Sequence, residues 1–281
     1  MTNPIEQFRG AIESAGLHPP EVVQPDGKLH RFATSGRPSD DAGWYVFHND
    51  GIPAGVFGDW RTGTTGTWRA DIGRRLSREE EAAHQARINR MRREREAEEA
   101  RRQSEARATA ARIWREAGAA QDDHPYLARK EVKAHGLRVH EGALVVPVRD
   151  GEILNSLQFI APDGRKRFLA GAHVSGCYFS IGTPKETICI AEGYATAATI
   201  HETTGHAVAV AFNAGNLLPV AQTLRTKFPE LRLILCSDDD AYTPGNPGLS
   251  KAREAARAVG AWLAVPAFGE NRPPDASDFN D

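Results

Sequence analysis

The sequence predicts an α/β protein in which a mostly parallel sheet is flanked by helices on both faces. After about residue 185, short and continuously apolar strands alternate with helix-length segments, which is the spacing of βα units. Ahead of that region lie a β-rich segment at 1–76 and a charged segment at 77–118. We therefore expect a small β-rich N-terminal module, a long charged helical linker and a core at 119–281.

The N-terminal segment combines a short helix with runs of alternating apolar and polar residues. We expect the helix at 5–15 and antiparallel strands at 29–33, 44–48 and 54–60, because turn residues separate these runs. Six aromatic rings interleave with cations here, and they either form the core of the small meander or stack on single-stranded DNA. The rings belong to Phe32, Trp44, Phe47, Phe57, Trp60 and Trp68.

The charged segment is predicted to be one long helix. Residues 77–117 contain no Gly or Pro, and opposite charges recur at three- and four-residue spacing. Ser77 and Glu80 form a capping-box pattern at its start. The helix is either a spacer or a nucleic-acid contact along its arginine-rich middle.

The core begins with strands joined by tight turns and continues as the alternating α/β region. Apolar strands are predicted at 144–148, 153–160, 167–169, 187–191, 207–212, 231–236 and 261–265. Helices are predicted at 194–203, 217–228 and 250–259. In such a sheet, ligands bind beyond the carboxyl ends of the strands.

Two groups of carboxylates directly follow predicted parallel strands. Glu192 follows the strand that ends at Ala191, and Asp238 to Asp240 follow the strand that ends near Ser237. Clustered carboxylates repel one another unless a cation binds, and oxygen ligands at this density select Mg²⁺ or Mn²⁺. Such ions clamp the attacking and leaving oxygens in phosphoryl transfer. A turn or a helix cap is the structural alternative for each motif taken alone.

Further charged residues flank this region. A third acidic cluster follows the last predicted strand and could complete the metal site; it consists of Asp275, Asp278 and Asp281. Phosphate contacts are expected from a basic stretch that follows the predicted turn at 162–164, with an ordinary charged hairpin as the alternative. The stretch consists of Arg165, Lys166 and Arg167, and the weaker candidates are Lys130, Lys133 and Arg138.

Composition narrows the class of protein. With 281 residues, 40% hydrophobic residues and a net charge of −2, the chain can form a real core but lacks a histone-like basic coat. The cysteines Cys177, Cys189 and Cys236 are far apart, so we expect buried thiols and no zinc. No apolar stretch has the length of a membrane span and no signal-peptide pattern is present, so we expect a cytoplasmic protein.

Two motifs around the carboxylates resemble the Toprim domain of bacterial-type primases, topoisomerases and some nucleases. They are ICIAEGY at 188–194 and ILCSDDD at 234–240. Further stretches look like Toprim primases of phages, plasmids and integrated elements, and they lie at 124–127, 157–169, 214–217 and 278–281. The resemblance covers residues 122–281 and puts the Toprim domain at about 185–281.

The resemblance implies a DNA primase, a nucleotidyltransferase that makes short RNA primers on single-stranded DNA from nucleoside triphosphates, with two divalent ions. It implies that Glu192, Asp238 and Asp240 are catalytic and metal-binding residues and that Asp278 is an auxiliary metal ligand. Nucleotide or DNA binding is implied for Arg165, Lys166, Arg167, Lys130 and Asn216. A Toprim nuclease and a non-catalytic DNA-binding replication module are the alternatives, whereas a type I topoisomerase needs a large extra domain.

The N-terminal module stands where such primases often carry a zinc ribbon. Its cysteine ligands are missing here, so a metal-free β module takes that place and its role in template recognition stays open. Many relatives also carry a helicase domain, and no nucleotide-binding P-loop motif occurs in this sequence. We expect a replicative helicase to act in trans or on a longer form of the protein.

Overall fold

The protein was analysed as a computed structural model that describes residues 3–35, 40–49, 51–71, 77–269, 272–273 and 276–281. The chain divides into two compact units, Met1–Ala100 and Arg101–Asp281. The domain boundaries expected near residues 76 and 118 remain predictions.

The first unit contains a four-stranded antiparallel sheet in chain order. Its elements are α1 (Pro4–Ser14), β1 (Asp26–Phe32), β2 (Gly43–His48), β3 (Ala54–Asp59) and β4 (Thr65–Arg69). The predicted helix and three strands are confirmed, but β4 was missed. Its residues alternate between exposed and half-buried positions and include one large apolar side chain, Trp68, so its strand signal is weak.

The aromatic rings of this unit form its core. Phe8 of α1 packs against Tyr45, Phe47, Phe57 and Trp68, with ring centroids between 4.8 and 6.1 Å apart. Phe32, Trp44, Phe47 and Phe57 are buried, so these four rings cannot stack on bases in this conformation. The alternative in which the rings fill the meander is therefore the one that the structure favours.

The charged segment is a single helix, α2 (Arg78–Glu116). The capping box is confirmed, because Glu80 N donates to Ser77 Oγ at 3.2 Å and Ser77 N donates to Glu80 Oε2 at 2.8 Å. A few apolar residues of the helix are buried. Met91 belongs to a core cluster of the first unit, and Ala110 and Ile113 belong to one of the second.

The second unit begins with a five-stranded antiparallel sheet in chain order. Its strands are β5 (Gly118–Ala119), β6 (Arg138–His140), β7 (Ala143–Asp150), β8 (Ile153–Ile160) and β9 (Lys166–Phe168), and the short helix α3 (Pro125–Lys130) lies between β5 and β6. The long pair β7 and β8 was predicted. The short elements β5, β6 and α3 were missed because two to six residues are too few for a periodic signal.

The predicted parallel sheet follows, with strand order β10-β12-β11-β13-β14. The strands are β10 (Phe179–Ile181), β11 (Thr187–Ala191), β12 (Ala207–Val210), β13 (Arg232–Cys236) and β14 (Trp262–Ala264), and the helices are α4 (Tyr194–Thr204), α5 (Leu217–Lys227) and α6 (Pro247–Val259). The edge strand β10 pairs antiparallel with β12, whereas the other described pairs of this sheet are parallel, and β10 was not foreseen. The mostly parallel fold class is confirmed.

Alternate residues of the central strand β11 face the two sides of the sheet. Ile188 and Ile190 join the core cluster that contains residues of α5 and α6. Cys189 and Ala191 join the cluster that contains α4 and residues of the antiparallel sheet. The sheet is thus covered on both faces, which forces a ligand to enter at its edge. In the described ranges, no helix combines the length and the apolar character that a membrane crossing requires.

Candidate active site

The register of two neighbouring strands brings the predicted carboxylates to one edge of the parallel sheet. β11 and β13 are adjacent and parallel, and Ala191 lies opposite Cys236. Glu192 therefore leaves the sheet next to the loop that begins at Ser237. Gly193 then starts α4, and a Cβ atom there would lie 3.6 Å from the Lys166 amine, so that amine reaches the same edge.

Asp238 lies in an unfavourable environment for a negative charge. Burial raises the pKa of its carboxyl to about 8, and the charges of Glu192, Asp278 and Asp240 add to the shift. Lys166 opposes it. Within the described ranges, Asp238 Oδ1 is buried and receives no hydrogen bond. This oxygen lacks the partner that a buried acceptor ordinarily has.

Glu192 shares that environment. Burial raises the pKa of its carboxyl, and the charges of Asp240 and Asp278 act in the same direction. The Lys166 ammonium and a hydrogen bond from the Ala214 N–H oppose the shift. Glu192, Asp238, Asp240 and Asp278 thus interact electrostatically as one group, which we call the carboxylate cluster.

The start of α6 holds Asp240. Gly248 N donates to Asp240 Oδ2 at 3.0 Å, which directs this carboxylate to the positive end of the helix. The approach requires glycine, because a Cβ atom on Gly248 would lie 2.9 Å from both Asp238 O and Asp240 Oδ2. Asn246 caps the helix in a left-handed conformation, and its Oδ1 accepts from Asp240 N at 2.9 Å.

Asp239, between the two predicted metal ligands, makes other contacts. Its Oδ2 lies 2.5 Å from Arg272 Nη1, and its Oδ1 accepts from Asn246 Nδ2 at 2.6 Å. These contacts lower the pKa of Asp239, the hydrogen bond from Asn246 having the larger effect. Its carboxylate is therefore satisfied by the protein, unlike that of Asp238.

The C-terminal residues place Asp278 in the cluster. Asn280 Nδ2 donates to Lys130 O at 2.7 Å and to Thr199 Oγ1 at 2.9 Å. Lys130 Nζ lies 3.2 Å from Asp281 Oδ1, so this ammonium anchors the C-terminal segment. Asp275, the third acidic residue expected here, lies outside the described residues.

The basic candidates separate into different roles. The positive charge of Lys166 acts on both Glu192 and Asp238 of the carboxylate cluster. Arg167, the next residue on β9, has its guanidinium 4.3 Å from the Phe159 ring centroid, as expected from strand alternation. Arg165 is 86% exposed and pairs with Asp163 at 2.6 Å. Nucleotide or DNA binding by Arg165, Lys166, Arg167 and Lys130 remains a prediction.

Asn216 is engaged inside the protein. It is 4% exposed, and its Nδ2 donates to Cys177 O at 3.0 Å and to Ala211 O at 2.9 Å. Its Oδ1 accepts from Gly176 N at 2.7 Å. Both amide hydrogens are therefore used to join backbone segments, which disfavours the predicted nucleotide contact and supports a structural role.

Several residues of the site were missed at the level of sequence. Asn246, Gly248 and Arg272 stand outside the recognised motifs, and only a helix-cap pattern at Asn246 and Pro247 could have indicated one of them. Tyr126 was noted within a motif but given no role. Tyr126 is buried, and its burial, followed by the charge of Asp278, raises the pKa of its hydroxyl to about 12. The hydroxyl also forms a hydrogen bond with the Ala195 backbone.

The donor set fits a divalent cation. In the described parts of the chain, no three His, Cys, Asp or Glu side chains form a tight metal cage. However, Asp238 combines an oxygen that has no hydrogen-bond donor among the described residues with a charge that its neighbours oppose, and a bound cation would relieve both. Hard carboxylate oxygens suit Mg²⁺ or Mn²⁺ rather than a soft metal.

Comparisons with known proteins agree with this architecture. Residues 186–263 match the family model of the Toprim domain. One Escherichia coli protein, named DNA primase TraC, is 39% identical over 302 aligned positions, which cover 96% of this chain and 27% of that protein. A second Escherichia coli DNA primase TraC is 37% identical over 287 positions, covering 94% of this chain and 20% of that protein. The chain thus spans about a quarter or less of the length of these relatives.

A solved structure also resembles the chain. The primase fragment of the bacteriophage T7 primase-helicase protein has a TM-score of 0.42 and 17% identity, covering 55% of this chain and 66% of that one. A likeness of this size supports no conclusion by itself. The conclusion from the sequence comparisons and the sheet topology is that this chain contains a Toprim domain, within a sequence similar over nearly its whole length to part of DNA primase TraC.

Proposed function

We propose that this chain is the catalytic core of a DNA primase that synthesises short RNA primers on single-stranded DNA. The observation that carries the proposal is the carboxylate cluster at the carboxyl ends of β11 and β13, with Lys166 beside it. The similarity to part of DNA primase TraC supports primer synthesis over the other activities of Toprim proteins.

The carboxylate cluster binds Mg²⁺ or Mn²⁺ in this proposal, with two ions at work. Asp238, Asp240 and Asp278 hold the metal, and Glu192 assists. When bound, the ions supply stabilisation of the charge that develops on the attacking and leaving oxygens. Asp238 Oδ1 supports this role, because none of the residues that the structure describes donates a hydrogen bond to it.

The side chains around the metal divide the remaining work. The 3′-hydroxyl of one nucleotide attacks the α-phosphorus of a second nucleoside triphosphate, and pyrophosphate leaves. Glu192 accepts the hydroxyl proton, and its raised pKa makes it a stronger base than an ordinary carboxylate. Lys166 donates to a phosphate oxygen as a compact positive charge. Arg165 extends the positive surface toward the template backbone.

The partners follow from this reaction. The chain takes single-stranded DNA as template and nucleoside triphosphates as substrates, and a replicative helicase delivers the template in trans or from a longer form of the protein. Replication of a phage, plasmid or integrated element is the process that we propose for it. The cytoplasm is the proposed location, because that is where such DNA replicates.

One assay tests the proposal against its alternatives. The protein is incubated with Mg²⁺ or Mn²⁺, single-stranded DNA and labelled nucleoside triphosphates, beside the Asp238→Asn variant. New oligonucleotides that require the metal and are lost in the variant support a primase. Cleaved DNA instead supports a Toprim nuclease, and DNA binding without either product supports a non-catalytic module.

A further inference from the structure

Asp278 reaches the carboxylate cluster on a short C-terminal segment, and contacts on two sides hold that segment. On one side, Asn280 donates to Lys130 O and Thr199 Oγ1, and Asp281 pairs with Lys130. On the other side, the segment meets the loop that carries Asp238, Asp239 and Asp240, which we call the acidic loop. There Asp239 N donates to Ser277 O at 2.6 Å. The position of Asp278 therefore depends on how firmly these two backbones are joined.

Arg272 makes a second connection between the backbone around Asp239 and the C-terminal segment that carries Asp278. Its Nη1 lies 2.5 Å from Asp239 Oδ2, and its Nη2 also donates to the Asp239 carbonyl oxygen. Its Nε and Nη2 donate to Ala276 O at 2.9 and 2.6 Å. One planar guanidinium thus binds the middle residue of the acidic loop and a backbone carbonyl two residues before Asp278.

The surroundings of this ion pair make it rigid. The Arg272 and Asp239 side chains are 15% and 19% exposed, which limits screening by solvent. The guanidinium carbon lies 4.3 Å from the Phe268 ring centroid and 5.5 Å from that of Tyr242. The planar guanidinium of Arg272 contacts two aromatic rings and forms hydrogen bonds along two of its edges. A lysine ammonium could not reproduce this fixed geometry.

We propose that Arg272 and Asp239 form a positioning pair that fixes Asp278 against Asp238 and thereby sets the cation affinity of the carboxylate cluster. The inference rests on the proposed function, because it assumes that the cluster binds a cation. The pair acts through the ligands and touches no substrate.

A purely stabilising arginine elsewhere in the same unit provides a matched control. Arg225 donates to the carbonyl oxygens of Val259, Pro229 and Leu231, and so also ties backbone segments together. It lies at the opposite end of β13 from the acidic loop, because Leu231 immediately precedes that strand. Arg225→Ala removes a comparable clamp without approaching the cluster.

The test is a Mn²⁺ titration of the full chain, with free Mn²⁺ measured by electron paramagnetic resonance. The set comprises wild type, Arg272→Ala, Asp278→Ala, the double variant Arg272→Ala/Asp278→Ala, and Arg225→Ala. Loss of a residue that orients a metal ligand typically costs about 10- to 100-fold in affinity, and we expect a loss in that range for Arg272→Ala. The double variant should bind like Asp278→Ala alone, because the pair acts through Asp278. Arg225→Ala should bind like wild type.

Two further variants keep the test decisive if Arg272→Ala does not fold. Arg272→Lys keeps the positive charge but loses the planar guanidinium. Asp239→Asn keeps an oxygen that can accept a hydrogen bond from Asn246 but loses the ion pair. Both variants should weaken Mn²⁺ binding in folded protein. Wild-type affinity in folded Arg272 variants, wild-type affinity in Asp278→Ala, or additive losses in the double variant would each overturn the positioning role. Absence of Mn²⁺ binding to wild type would instead overturn the cation site on which the proposed function depends.

Discussion

Two buried carboxylates, one in each unit of this chain, have opposite environments. In the first unit, Asp59 is only 3% exposed. Burial alone would raise the pKa of its carboxyl, but hydrogen bonds from Thr34, Thr62 and Arg61 outweigh burial, so the pKa is lowered. In the second unit, Asp238 has a pKa of about 8 and a buried oxygen to which no described residue donates. A buried acid that the protein satisfies contributes to folding, whereas one that the protein leaves unsatisfied indicates a ligand.

Asp40 extends the same contrast. Hydrogen bonds from the Ser35 hydroxyl and backbone, and then from the Ala42 N–H, hold the pKa of this carboxyl well below its usual range. Asp40 and Asp59 thus remain charged because turns of the first unit solvate them. No comparable set of donors surrounds Asp238 in the described ranges, and three other carboxylates oppose its charge.

The largest expected difference between the two regions is in catalysis. Asp238→Asn should reduce primer synthesis by a factor on the order of a hundred or more, because it removes charge that stabilises the transition state through the metal. Glu192→Gln should also be inactive, and Asp239→Asn should be milder than a change at Asp238. Labelled-nucleotide incorporation gives the rates. Wild-type synthesis by Asp238→Asn, or a greater loss at Asp239, would show that the ligand assignment is wrong.

The pH dependence of stability should reveal the raised pKa. The folded-state pKa of Asp238 is about 8 against an ordinary value of 3.8, so the folded state binds this proton more tightly than the unfolded state. Its contribution is therefore intact below pH 4 and is lost as the pH rises toward 8, by up to about 1.4 kcal/mol per pH unit. Urea unfolding in the presence of EDTA at pH 5.5 and 7.5 measures the slope, which Asp238→Asn should reduce. An equal slope in both proteins would contradict the raised pKa.

In the absence of metal, removing the charge of Asp59 and removing that of Asp238 should have different effects on the free energy of unfolding. Asp59→Asn should lower the free energy of unfolding by roughly 1–3 kcal/mol, because an amide cannot accept all the hydrogen bonds that the carboxylate accepts. Asp238→Asn should leave it unchanged or raise it, since repulsion within the cluster is relieved. Chemical denaturation of the metal-free proteins compares them. Equal destabilisation by the two changes would remove the distinction drawn here.

A smaller difference, in the binding of single-stranded DNA or nucleotide, should distinguish Lys166 from its neighbour Arg167. Lys166→Ala should weaken binding of single-stranded DNA or nucleotide and reduce the salt dependence of binding by about one counterion. Arg167→Ala should have less effect, because its guanidinium stacks on Phe159 rather than facing the carboxylates. Fluorescence anisotropy over a range of salt concentrations provides the comparison. A larger loss for Arg167 would assign the phosphate contact to the other face of β9.

The sequence predicted those features that depend on local pattern. The apolar strands, the long helix with its capping box and the position of Glu192 and Asp238 after two strands all follow from residue spacing. Lys130 and Asn216 show the limit of such reasoning. Lys130 pairs with Asp281, and Asn216 donates to the backbone carbonyls of Cys177 and Ala211. Residue type alone could not show that these polar groups have partners inside the protein.

Long-range contacts also explain what was missed. Arg272 and Asp239 are separated by 33 residues, and no periodicity connects them. Asn246 and Gly248 are small polar or flexible residues that any loop could contain, yet the Asn246 side chain and the Gly248 backbone N–H hold Asp240. The proximity of the acids was therefore predictable from the strands that they follow, but the groups that hold those acids were not.

Stabilisation by Mn²⁺ tests most directly whether the carboxylate cluster is a cation site. Thermal unfolding is followed with and without Mn²⁺ for wild type, Asp59→Asn and Asp238→Asn, because a ligand that binds only the folded state raises its stability. We expect Mn²⁺ to raise the melting temperature of wild type and of Asp59→Asn by the same amount, and to have little effect on Asp238→Asn. An equal rise in all three proteins, or no rise in wild type, would contradict the cation site.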